Sequence, residues 1–172
     1  MYMSKLKEIL IPPVGFVMNE PNWTSLENSL NIVFPLDFKE FTECYGIGQI
    51  DYFININVPI VNESAYLEEV NYLCSNYTRF KREFPDQYTF SVYPEKGGLF
   101  PLGNTDNGDE IWWLMDSEPA KWEIVIYESR SWDFCRYQMG LVEFLYKILS
   151  KEIQCGIFPC EIPGDNIEFA TL

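Results

Sequence analysis

The spacing of apolar positions changes several times along the chain, and each change predicts an element. Ser4 to Ile11 reads as a short helix that stops at Pro12. Asn22 can cap a second helix, in which Trp23, Leu26 and Leu30 fall on one face. Pro35 suits the first position of a third, with Asp37 near its positive end. Phe38, Phe41 and Tyr45 follow at helical spacing, and Gly46 supplies a left-handed stop.

The period then drops to two. Ile50, Tyr52, Ile54 and Ile56 alternate with Gln49, Asp51, Phe53 and Asn55, which predicts one strand. A long helix runs from a cap at Asn62 or Ser64 to about Phe84. It is acidic early (Glu63, Glu68, Glu69) and basic late (Arg79, Lys81, Arg82), in line with the helix dipole. Four β-prone runs follow, Tyr88–Tyr93, Leu99–Asn104, Glu110–Met115 and Trp122–Glu128, separated by turn-forming residues. A last amphipathic helix covers about Met139 to Gln154, and the tail from Gly156 to Leu172 is irregular or holds one edge strand. The expected fold class is α+β: a single domain over 1–172, its recognisable core about 23–152, with about four helices enclosing a mostly antiparallel, twisted sheet.

Composition sharpens this. With 172 residues, 47% hydrophobic and 17% aromatic, the chain can bury one substantial core. Its 26 acidic residues against 12 basic ones leave a formal charge of −14. Such a field repels phosphate backbones and anionic lipid and attracts basic surfaces, so neither direct nucleic-acid binding nor membrane binding is expected. The N-terminus carries Glu8 within its apolar stretch and shows no cleavage site, so no signal peptide is expected. Five cysteines without framework spacing suit a reducing compartment, and the expected location is cytoplasmic.

There is no histidine. Ser-His-Asp and Cys-His nucleophile arrangements and imidazole metal sites are thereby excluded. Cys155 and Cys160 have no second pair to complete a zinc tetrahedron, and neither cofactor nor metal is expected.

The stretch Phe100–Glu118 holds five carboxylates, no base and two adjacent tryptophans. An EF-hand register with Gly108 at the glycine position would put the first ligand on Gly103, which has no side chain. A glycosidase-type pair needs two carboxyls across a cleft, whereas neighbours such as Asp109 and Glu110 point to opposite faces of a strand. Asn107-Gly108 predicts a hairpin, as the two central residues of a type I′ turn. Beyond it, Ile111, Trp113 and Met115 share one face, Trp112 and Leu114 the other. That pattern implies a strand covered on both sides or one face left partly exposed. An exposed tryptophan among acids has the composition of a hot spot for a basic protein, with core burial as the competing fate. The expected contact residues are Asp106, Glu110, Trp112, Asp116 and Glu118.

Three motifs resemble the SUKH superfamily, which includes Smi/Knr-type fungal cell-wall regulators and many bacterial immunity proteins. The first is Trp23, Glu27, Leu30, Phe34-Pro35, Asp37-Phe38, Phe41 and Tyr45-Gly46. The second is Pro101-Leu102-Gly103 followed by Asp106-Asn107-Gly108-Asp109 and Ile111. The third is Trp132 ahead of a helix centred on Phe144-Leu145. Phe34 stands where leucine is usual, and the glycine expected near Asn31 is missing. The resemblance implies an α+β fold, no catalysis and a binding role. In bacterial members that role is typically the neutralisation of a toxin, often a nuclease, from a polymorphic or contact-dependent system. The expected partner is a cognate protein toxin with a basic surface. The alternatives are a regulatory adaptor for housekeeping or cell-wall-synthesis proteins and a carboxylate-based hydrolase. Trp23, Pro35, Phe38, Gly46, Pro101, Gly103, Gly108 and Trp132 are expected to define the fold, Asp109 and Glu27 to cap or bond backbone.

Overall fold

The computed structural model describes residues 2–15, 21–60 and 62–171. Helix α1 (Tyr2–Ile9) is followed by α2 (Trp23–Leu30), capped by the Asn22 side chain, which accepts a hydrogen bond from Ser25 N at 3.1 Å. Helix α3 (Leu36–Tyr45) begins one residue after Pro35, which sits at the N-cap instead of the first helical position. Its closing residue Gly46 has φ +69°.

The alternating run after Gly48 is not one strand. It folds into β1 (Gly48–Ile50) and β2 (Ile54–Ile56), joined by a tight turn in which Asp51 and Tyr52 both have φ +52°. Phe53 N donates to the Ile50 carbonyl at 3.0 Å, which makes this a type I′ turn. The sequence hid it because the two positive-φ positions carry Asp-Tyr in place of Asn-Gly. The buried Asp51 carboxylate accepts from Gly164 N at 2.8 Å, tying the C-terminal segment to the hairpin.

Helix α4 (Glu63–Glu83), capped by Asn62, precedes the central strands β3 (Leu99–Thr105), β4 (Glu110–Leu114) and β5 (Glu123–Tyr127), with one 3₁₀ turn at Pro119–Lys121. Two further strands close the sheet: β6 (Phe134–Tyr137), which the sequence pattern does not predict, and β7 (Phe169–Thr171) in the tail. Between β6 and β7 lies α5 (Leu141–Leu149). The seven strands run in the order β6-β5-β4-β3-β2-β1-β7, every neighbour antiparallel.

Tyr88–Tyr93, expected as a strand, is a loop with a single bridge from Val92 to Leu99. On the edge of β3 away from β4, β2 pairs only with 103–105, and this segment reaches just Leu99, through Leu99 N to the Ser91 carbonyl at 2.8 Å and Tyr93 N to the Leu99 carbonyl at 2.9 Å. Its alternation serves burial instead. Tyr88 stacks on Tyr127 with ring centroids 5.7 Å apart, and Phe90 packs edge-on to Phe134 at 5.2 Å.

The sheet is covered on both faces along β4, which explains the two tryptophans. Trp113 enters the larger core with Phe34, Phe38, Phe100 and Trp122, its ring 4.8 Å from that of Phe38 and perpendicular to it. Helices α1, α3 and α5 pack together on that side. Trp112 points the other way, 5.5 Å from Tyr77 of α4. Asp37 of α3 supplies the cap that α5 lacks locally, accepting from Val142 N at 3.1 Å. Burial pushes the Asp37 carboxyl up, against the backbone amides that pull it down.

Candidate protein-binding surface

Among the described residues, only part of the second face is covered. Helix α4 and the 88–93 loop roof β3 to β6, and the side chains of β2, β1 and β7 on that face meet solvent. The strand register shows which residues these are. Asn104 pairs with Asn55 and Asn55 with Gln49, so the three amides form a row across β3, β2 and β1. Asn55 Nδ2 donates to Asn104 Oδ1 at 3.0 Å, and Gln49 Nε2 donates to Asp106 Oδ1 at 2.5 Å. At the far end Asn57 Nδ2 donates to Glu69 Oε1 at 3.3 Å. Beside the β1–β2 turn, the exposed Tyr52 hydroxyl donates to Glu168 Oε2 at 3.0 Å.

Asp106, Glu69 and Glu168 are thus oriented by neutral donors, which position a carboxylate without cancelling its charge. The segments that build the patch belong to Glu40–Thr78, Gly97–Ala120 and Glu152–Leu172, none of which contains lysine or arginine. Elsewhere carboxylates do find cations: Glu27 with Lys39 at 2.5 Å, Glu118 with Lys121 at 2.6 Å, Glu143 with Lys147 at 2.6 Å.

The five expected contact residues do not form one site. Asp106 sits in the β3–β4 turn, while Asp116 and Glu118 lie past the opposite end of β4, a strand that spans about 17 Å over its five residues. Trp112 is 2% exposed, and its ring belongs to the core; it offers nothing to a partner, which corrects the expectation. Its indole N–H donates to Glu110 Oε2 at 3.1 Å. Glu110 is half-buried beneath the α4 side, and burial pushes its pKa up. Composition alone could not separate Trp112 from an exposed ring, because the roof over it comes from α4, far away in sequence. The missed members, Gln49, Asn55, Asn104, Glu69 and Glu168, become neighbours only through strand register.

Asp116 lines a second feature, an open groove of about 760 Å³ between the α2–α3 connection and the 93–97 and 115–119 segments. Its floor includes Leu30, Tyr93, Met115 and Trp122, and its rim mixes Glu95, Asp116 and Lys96.

The motif residues hold the frame together. Glu27 accepts from Phe34 N at 2.9 Å and pairs with Lys39, which also lies over the Trp23 ring, fixing the α2–α3 elbow. Asp109, 2% exposed, accepts from Thr105 Oγ1 at 2.7 Å and from Ser129 N at 3.0 Å, joining the β3–β4 turn to the β5–β6 connection. That turn is not type I′. Gly108 N donates to the Thr105 carbonyl at 2.9 Å, so Asp106 and Asn107 are central, and Gly108 takes the left-handed bulge position at φ +85°. Trp132 lies at the surface, against Phe84 and Tyr88.

The profile of the family SUKH_6, described as SMI1-KNR4 cell-wall, matches residues 20–145. The chain belongs to this family. The matched region runs from the α2–α3 elbow through the β3–β4 motif into α5, so the α+β fold of this SUKH member is built around the residues that carry the match. No curated protein and no solved structure matches the chain. The tail that supplies β7 and Glu168 lies beyond the matched residues. Among the described residues, no helix is long and apolar enough to cross a membrane.

Proposed function

We propose that this SUKH protein is a non-enzymatic immunity protein. It neutralises a cognate toxin of nuclease type, in the cytoplasm, by holding the open half of its sheet against the toxin's basic surface. The observation that carries this reading is the base-free row of amides and carboxylates at Gln49, Asn55, Asn104, Asp106, Glu69 and Glu168. Preoriented carboxylates can occupy a groove built for phosphates without the chemistry that phosphates would undergo. A net charge of −14 steers a cationic partner toward encounter, raising association rates by about 10- to 1,000-fold at low salt. Speed matters to an inhibitor that races damage already begun.

A carboxylate hydrolase would need two acids across one cleft with their pKa values pushed apart. Among the described residues the two carboxyls raised by burial are Asp37, on α3 over one face of the sheet, and Glu110, on the other face, and neither lines the groove. The reading is tested by co-expression with a toxin domain encoded beside this gene: a 1:1 complex that weakens with salt, together with protection of the cells, supports it. Failure to protect refutes it. The family description, SMI1-KNR4 cell-wall, favours a second reading as a regulatory adaptor. A gene standing apart from any toxin, with cell-envelope factors in pull-downs, would select that one.

A further inference from the structure

The opposite edge of the sheet has the reverse character. All four arginines of the chain, Arg79, Arg82, Arg130 and Arg136, lie in the last turns of α4 or in the β5–β6 hairpin. Those two places meet through Phe84 and Trp132, whose ring centroids are 5.0 Å apart. Residues 79–90 and 128–137 carry five basic and four acidic side chains, a net +1, so the rest of the chain carries −15.

Three large rings reach solvent in this one area: Trp132 at 47%, Phe134 at 41% and Phe84 at 37% exposure. They continue a stack that begins inside, since Phe134 lies 5.4 Å from Tyr127 and Trp132 lies 5.8 Å from Tyr88. Beside them β6 is the last strand of the sheet, bonded only to β5 among the described residues. Exposed aromatics, arginines and an open strand edge in one patch are the ingredients of an interface.

We infer that this patch is a self-association surface on which a second copy of the chain docks, β6 against β6, about a twofold axis. Charge selects this occupant. Two molecules of −14 repel each other at any other approach, and this near-neutral patch is where they can touch. A twofold axis brings the same mixed set of arginines and acids to both sides, so Arg79, Arg82 and Arg130 can meet acids of the other copy while Arg136 stays paired with Glu123 at 2.5 Å. The antiparallel edges would supply backbone bonds, and the rings would supply the buried apolar area. Because β7 is at the far end of the sheet order, both acidic patches stay free in such a dimer.

Sedimentation of the full chain, from low micromolar to millimolar concentration, tests this. The expected result is a reversible monomer–dimer equilibrium that tightens with added salt, because screening removes the net repulsion. The β6 amides should gain protection from hydrogen exchange as the dimer fills. Trp132→Glu should weaken association about 30-fold or more, the loss of a hot-spot residue. Phe134→Lys, which leaves the α4 contact of Trp132 alone, should do the same. A chain that remains a 20.2 kDa monomer throughout, or a dimer that survives both substitutions, overturns the inference.

Discussion

Gly103 of β3 faces Asn55 of β2 so closely that any Cβ on it would run into the Asn55 carbonyl oxygen. The register slips by one residue between Pro101 and Gly103, and this bulge lets β3 serve both β2 and β4 while the two backbones close up. The glycine of the second motif therefore makes the junction between the covered strands and the open acidic half-face. Gly103→Ala should cost about 1–3 kcal/mol or more, since the obstacle is backbone and cannot swing aside. Gly156, where an added Cβ would meet nothing within 4 Å, should accept alanine within about 0.5 kcal/mol. Urea denaturation of the two variants makes the comparison.

Asp109 holds two turns by one carboxylate. Asp109→Ala leaves the buried Thr105 Oγ1 and the part-buried Ser129 N–H short of their acceptor, and should cost about 1–3 kcal/mol. Because Gly108 and Asp106 sit in the same turn, the loss should also show as faster amide exchange at Ser129.

Trp112 and Trp132, one buried and one at the surface, should respond to truncation to very different extents. Trp112→Ala opens a void against Tyr77 and should cost about 3–5 kcal/mol, measured as a shift of the denaturation midpoint. Trp132→Ala, at the surface, should cost far less, about 1 kcal/mol, the ordinary loss for a single substitution.

What could be read from the sequence was what is encoded locally. Asn22 and Asn62 announce helix starts because their side chains bond amides two or three residues on. The dyad pattern of Ile111-Trp112-Trp113-Leu114 allows a strand covered on both sides or one with a partly exposed face, and only the fold decides for the first; the family motifs are visible as spaced residues. The hairpin at Asp51-Tyr52 was not visible, because nothing about an Asp-Tyr pair demands positive φ; the constraint comes from β7 and Gly164 gripping that end. Strand β6 was hidden for a related reason. Its exposed, mixed residues Phe134 and Arg136 follow the logic of a sheet edge, not of a core. The acidic patch itself was legible as charge but not as place. Asp106 was named from its turn, while Glu69 and Glu168 join it only when α4 and the tail come to β2 and β1.

Glu110 predicts a pH dependence. Burial raises its pKa in the folded chain, and the Trp112 N–H offsets that only in part. Between the ordinary glutamate range and the raised value, the native state holds more protons than the unfolded one, so stability falls as pH rises through that window. Glu110→Gln keeps an oxygen for the indole and removes the buried charge. It should be more stable than wild type at neutral pH, with the gain vanishing below the ordinary carboxylate range, as followed by thermal melts across pH.

The central claim is that the open half of the sheet does the binding. Its direct test is calorimetric titration of the cognate toxin domain into the triple variant Asp106→Lys, Glu69→Lys, Glu168→Lys at low salt. A control carries the same reversal at Asp116 and Glu95, on the rim of the groove, and at the neighbouring Glu118. Loss of affinity by about 100-fold or more in the first, with a near-normal second, is the predicted result for close charge pairs. Unchanged affinity in the first variant would contradict it.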